Sequence, residues 1–218
     1  MPYRKVVLAN AGVHHIFTRS IAGFRIFNSD KDYERMRQVM IFYSLKKPPC
    51  KFSLFVSSLK NDLGILDFKN KLVRILAYCL MPTHIHIIAE QIADNGISHY
   101  VNLILKSYSK YFNVKYKRKG PLWEGRFRNV LVETDDQLLH LTRYVHLNPV
   151  SSSLVDTPQD WRFSSYWEYT NENAAGGAQK ICEYSRYLSM NTAVYKKFVD
   201  DRIDYQRELE HIKHLTFE

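Results

Sequence analysis

Four residues in two short segments have the types and spacing to do chemistry together. His84 and His86 lie in Met81-Pro82-Thr83-His84-Ile85-His86-Ile87-Ile88, and Tyr144 and Asn148 lie in Arg143-Tyr144-Val145-His146-Leu147-Asn148-Pro149. In a strand, residues i and i+2 share a face, so two neutral imidazoles at that spacing can ligate one divalent ion. On a helix, positions i and i+4 share a face, so the Tyr144 phenol and the Asn148 amide oxygen can meet the same ion. The chemistry that unites them is metal-assisted attack of a tyrosine on a phosphodiester. A phenol with a pKa of about 10 is protonated at neutral pH and the phosphodiester is anionic, so attack and departure both need help. A cation held by two imidazoles and a neutral amide keeps its full charge for the phosphate.

Spacing alone leaves open two solvent-facing histidines and a tyrosine packed at the edge of the stripe Leu138, Leu141, Val145. The His84-x-His86 pair also invites comparison with histidine-triad phosphate transferases, but that motif continues with a histidine where this chain has Ile88. Mononuclear zinc hydrolysis is disfavoured because no further His or carboxylate falls at convincing spacing nearby.

The elements that must position these residues follow from pattern. Val13 to Arg19 reads as a strand, and Asp30 is placed to cap a helix running to about Lys46, stopped by Pro48-Pro49. Lys51 to Val56 is a short strand candidate. Leu72 to Leu80 is a stronger one, leading through a Pro82 turn into Ile85 to Ala89. So short a connection requires an antiparallel hairpin, with the histidines on an interior strand. Apolar residues at Val101, Ile104, Leu105, Tyr108, Tyr111 and Phe112 predict an amphipathic helix from Ile97 to about Lys117. Pro121 to Val132 ends in a strand, and Thr134-x-x-Gln137 opens the helix carrying Tyr144. Asn148-Pro149 marks that helix's C-terminal end, which places Tyr144 in its last turn. Asn171 to Gly177 reads as a linker, and Asn191 to about His214 as a charged helical stretch. The organisation is one α/β domain over residues 1–170 followed by a linker and helical extension over 171–218.

Composition fits a nucleic-acid partner. The 218 residues include 31 Lys and Arg against 22 Asp and Glu, a net +9 that favours a polyanion. Arg19, Lys106, Lys110, Arg118, Arg126 and Arg128 are candidates for backbone phosphates, with Trp123 and Phe127 as stacking platforms for bases. Three widely spaced cysteines support neither a disulfide framework nor a zinc knuckle. No segment resembles a signal peptide or a bilayer span, so a cytoplasmic, nucleoid-associated protein without a membrane partner is expected.

Five blocks in order carry a family resemblance: His15 to Arg19; Leu80 to His86; Gly120-Pro121-Leu122-Trp123-Glu124-Gly125-Arg126-Phe127; Tyr144 to Val150; and Trp161-Arg162-Phe163-Ser164-Ser165-Tyr166. Over residues 5 to 167 the chain resembles the REP-associated tyrosine transposases of bacteria, single-tyrosine transposases with a His-hydrophobic-His (HUH) motif. The resemblance implies a central antiparallel sheet with flanking helices, single-stranded DNA beside a hairpin as substrate, and Mg²⁺ or Mn²⁺ as cofactor. Position by position it implies His84, His86 and Asn148 as metal ligands and Tyr144 as the nucleophile of a 5′-phosphotyrosine intermediate, used for both cleavage and strand transfer. Monomers and homodimers both occur among such enzymes. The alternative from another class is a catalytically inactive, domesticated hairpin-binding protein on the same scaffold.

Overall fold

The computed structural model describes residues 8–58, 66, 68–171 and 180–208. A four-stranded sheet of order β2-β3-β1-β4 is built from β1 (Val13–Arg19), β2 (Val73–Met81), β3 (His84–Gln91) and β4 (Arg128–Val132). Every pairing is antiparallel. Pro82 and Thr83 turn β2 directly into β3, so the histidine strand is an interior one, as the hairpin argument requires. The mixed α/β architecture expected from the sequence, a central antiparallel sheet with flanking helices, is the observed one.

Alternation along β3 separates the chemistry from the core. Ile85 and Ile87 are buried on one face, and His84 and His86 lie on the other. Helices α1 (Asp30–Ser44) and α3 (Gly96–Lys115) pack on each other and on the sheet, whereas α4 (Asp135–Ser151) packs on β2, β3 and β4 from the opposite side. A core of Val39, Met40, Phe42, Tyr100, Ile104 and Tyr108 holds the first pair of helices down. Burying each such side chain contributes roughly 2 kcal/mol. Gly96 opens α3 where a Cβ would lie 2.3 Å from the Leu72 carbonyl oxygen, so the helix can approach β2 only without a side chain there.

Three local expectations need correction. Residues 51–56 do not form a strand: α2 spans Phe52–Ser57, because Phe52 and Phe55, three apart, both bury against Phe42. The cap of α1 is Ser29 rather than Asp30, with the Asp32 carboxylate reaching back to the Ser29 N–H at 3.0 Å. Finally, α4 does not stop at Asn148 but runs through Pro149 to Ser151. Proline near a helix end removes one donor, and the turn closes through Ser152 N–H to Asn148 O and Leu154 N–H to Pro149 O. Tyr144 therefore sits about two turns before the end of its helix, where it is held more firmly than in a last turn.

The linker expected at 171–177 lies outside the described residues beyond Asn171. Residues 180–208 return to the body of the molecule. Ile181 and Cys182 are buried, Glu183 N–H bonds to Ile75 O of β2 at 2.9 Å, and α6 (Thr192–Asp200) packs on α4 and α5 (Tyr166–Thr170). The expected helical stretch is thus split, with α6 ending at Asp200 and a further helical turn over 203–208. No helix among the described residues is long and apolar enough to cross a membrane.

Candidate active site

A cleft of about 770 Å³ opens on the histidine face of the sheet. His84, His86, Tyr144 and Asn148 all line it, although Tyr144 and His86 are 58 residues apart in sequence. β3 supplies the imidazoles and α4 lies across the sheet to deliver the phenol. The Tyr144 ring stands edge-on to His86, with centroids 5.8 Å apart and planes at 89°. It also stands edge-on to His15 at 6.1 Å. Its side chain remains partly open to solvent, and its hydroxyl makes no hydrogen bond to another described residue.

Each site imidazole has one nitrogen engaged. His86 Nδ1 lies 2.9 Å from His15 Nε2, and His84 Nδ1 lies 3.0 Å from Thr83 Oγ1. The Nε2 atoms are those left for a ligand. Burial keeps these rings neutral: it lowers His15 to about 4, and burial with the nearby Arg19 charge lowers His84 to about 4. Burial, then the neighbouring His15 and His84, holds His86 well below 6.5. Neutral imidazole is the form that ligates. Asn148, almost fully buried, donates from Nδ2 to the Tyr144 carbonyl at 2.8 Å. An amide nitrogen can only donate to a carbonyl, so this bond fixes the flip and leaves Oδ1 as the acceptor.

The predicted DNA-contacting residues divide. Arg19, Arg126 and Arg128 line the cleft, and Arg19 Nε pairs with Glu124 at 3.1 Å. Lys106 and Lys110 are exposed on α3, away from it. Arg118 bonds to Asn113 Oδ1 and Gly120 O and lies over the Phe24 ring, also outside the cleft. Trp123 is half-buried, its indole N–H donating to Ser109 Oγ and Leu105 O, and Phe127 is buried. These two aromatics bind the loop to the body and do not line the cleft.

Sequence reasoning did not single out His15, Thr83 or Glu124 as parts of the site. His15 was visible only as the first residue of a five-residue block. Its meeting with His86 depends on the register that pairs Phe17 with His86, which no sequence spacing encodes. Glu124 had a faint signal, as the one carboxylate in a basic, aromatic loop.

Fold and cleft together define an α/β domain with one tyrosine-bearing helix laid over a paired-histidine strand. Comparisons with known proteins bear on its sequence and its fold. Residues 67–148 match the family described as Transposase IS200 like. A Haemophilus influenzae protein named as a REP-associated tyrosine transposase is 28% identical over 103 residues, covering 42% of this chain and 57% of that protein. The chain thus matches little more than half the length of that curated relative. A solved structure of a REP-associated tyrosine transposase bound to a REP hairpin superposes with a TM-score of 0.57 at 17% identity, covering 87% of this chain and 99% of that one. The chain therefore resembles REP-associated tyrosine transposases, in sequence over 103 residues and in fold over most of its length.

Proposed function

We propose that the protein is a metal-dependent single-stranded DNA endonuclease and strand transferase acting beside DNA hairpins, with Tyr144 as nucleophile. The observation that carries this reading is the placement of the Tyr144 ring 5.8 Å from His86 in a cleft also lined by His84, Asn148 and three arginines. His84, His86 and Asn148 fit a divalent ion such as Mg²⁺ or Mn²⁺: two neutral imidazoles with Nε2 uncommitted and one amide oxygen, while the Glu124 carboxylate that also lines the cleft is paired with Arg19. When bound there, such an ion supplies Lewis-acid stabilisation of the phosphate.

The chain's own groups account for the rest. Arg19, Arg126 and Arg128 line the path of the backbone and neutralise phosphates. Tyr144 Oη attacks the phosphorus in line, an O–P bond forms, the phenolic proton passes to solvent, and the bond to the 3′ oxygen breaks. That oxygen takes up a proton, leaving a 5′-phosphotyrosine and a free 3′-hydroxyl. The reverse attack by a 3′-hydroxyl rejoins DNA without ATP, because the phosphodiester energy is retained in the tyrosyl ester. The tyrosine faces the histidines of its own chain, which suits a monomer acting in cis.

The test uses labelled single-stranded oligonucleotides carrying a hairpin and flanks, incubated with Mg²⁺, Mn²⁺ or chelator. A covalent adduct that forms with metal and vanishes in Tyr144→Phe and His84→Ala supports the reading. Because the Tyr144 hydroxyl holds nothing else in place, Tyr144→Phe keeps its DNA affinity. Normal cutting by Tyr144→Phe overturns the nucleophile assignment. DNA that is bound but uncut under every condition, with long native flanks, identifies an inactive hairpin binder.

A further inference from the structure

The nucleophile helix is tied from behind by the C-terminal segment. His146, two residues after Tyr144, points away from the cleft and is completely buried. Its Nδ1 lies 2.7 Å from the Tyr195 hydroxyl of α6, and its Nε2 lies 2.7 Å from Ser165 Oγ. Ser165 is in turn fixed to β2, accepting from Tyr78 N–H at 2.9 Å and donating to Tyr78 O at 3.1 Å. The imidazole is neutral, so one nitrogen donates and the other accepts, and neither is left unpaired. Arg143, the residue before Tyr144, donates to the Phe198 carbonyl at 3.3 Å and lies over the Phe198 ring at 4.0 Å.

The segment making these contacts is itself anchored to the domain. Glu168 of α5 accepts from the Ile181 and Cys182 N–H groups at 2.8 and 2.7 Å. Glu183 pairs with both Lys71 and Arg74. The tyrosine helix is therefore held between two supports, the sheet in front and α6 behind.

We propose that residues 181–200 are a clamp that sets the orientation of α4, with Tyr195 and His146 as positioning residues for Tyr144. The hydrogen bonds from His146 to Tyr195 and from Arg143 to Phe198 O are directional, and a buried hydrogen bond specifies the rotation of α4 about its axis where the ring packing beside it would permit sliding. A rotation of one residue, 100°, would swing Tyr144 out of the cleft. The functional half of this inference rests on the nucleophile reading above; the mechanical half does not.

Tyr195→Phe removes the hydroxyl and keeps the ring. Tyr169→Phe is the control: it deletes another buried hydroxyl in the same aromatic cluster, but one that serves Leu76 O of β2, 2.6 Å away. Amide hydrogen exchange without DNA is the first readout. The clamp requires faster exchange across residues 140–148 in Tyr195→Phe and not in Tyr169→Phe. Equal protection of these amides in Tyr195→Phe and the wild type overturns it. The second readout is adduct formation at saturating hairpin DNA, where Tyr195→Phe should slow the step about 5- to 10-fold with unchanged affinity while Tyr169→Phe leaves it alone. An equal rate in both variants overturns the positioning role. A wild-type protein that forms no adduct refutes the nucleophile reading, and hydrogen exchange then decides the clamp by itself.

Discussion

Acidification should unfold this protein through its buried histidines. His15 and His146 are 7% and 0% exposed, and burial lowers them to about 4 and about 3. In the unfolded chain both return to about 6.5, so below that pH the unfolded state binds more protons than the native one and stability falls. The loss begins near pH 6.5 and continues until the folded values are reached near 4 and 3. Moving from pH 7.5 to 5 crosses about 1.5 pH units of that window, worth roughly 2 kcal/mol per histidine and about 4 kcal/mol for the pair. His86 shifts in the same direction. Glu168, raised chiefly by burial, acts in the opposite sense and offsets part of the loss. Against a typical stability of 5–15 kcal/mol this is a large fraction. Urea unfolding at the two pH values measures the difference directly, and His146→Asn should reduce it by about 2 kcal/mol. A wild-type difference below about 1 kcal/mol would refute the claim that these rings are held neutral by burial.

Three other outcomes follow from named contacts. Glu124→Gln frees Arg19 from its ion pair, so hairpin DNA should bind several-fold more tightly at low salt; weaker binding would show that Glu124 contacts the DNA itself. Arg126→Ala and Arg128→Ala should each reduce the slope of log affinity against log salt by roughly 1, while Lys106→Ala and Lys110→Ala, outside the cleft, should change it less; equal effects at all four would mean that the DNA also tracks α3. Asp32→Ala should cost about 2 kcal/mol in urea unfolding, since it removes the buried carboxylate that accepts from Lys115, Tyr111 and Tyr116 at 2.6, 2.9 and 2.6 Å. Burial alone would raise Asp32, but these donors hold it below the usual carboxylate range, so its contribution is present at neutral pH and lost only in strong acid.

Period and punctuation made much of this protein legible. The alternation in Val13 to Arg19 and Ile85 to Ala89, the short Pro82 turn and the helical spacing of Val101 to Phe112 determine strand, hairpin and helix locally, because each depends on neighbours a few residues away. The paired imidazoles on one strand face, and a phenol and an amide on one helix face, follow from the same two periods. Where a local rule competed with tertiary packing, packing won. Phe52 and Phe55 curl into a helix to reach Phe42, and α4 passes through Pro149 because its apolar side is already bound to the sheet.

Only the tertiary structure decided which residues meet. The register of β1 against β3 brings His15 to His86, the crossing of α4 over the sheet brings Tyr144 to both, and the return of residues 181–200 brings Tyr195 to His146. It also divided the basic residues, placing Arg19, Arg126 and Arg128 in the cleft and Lys106 and Lys110 outside it. Charge and residue type are properties of the chain, whereas proximity among positions 15, 86 and 144, and between 146 and 195, exists only after non-local burial has fixed how the layers stack, and no pattern along the sequence encodes those distances.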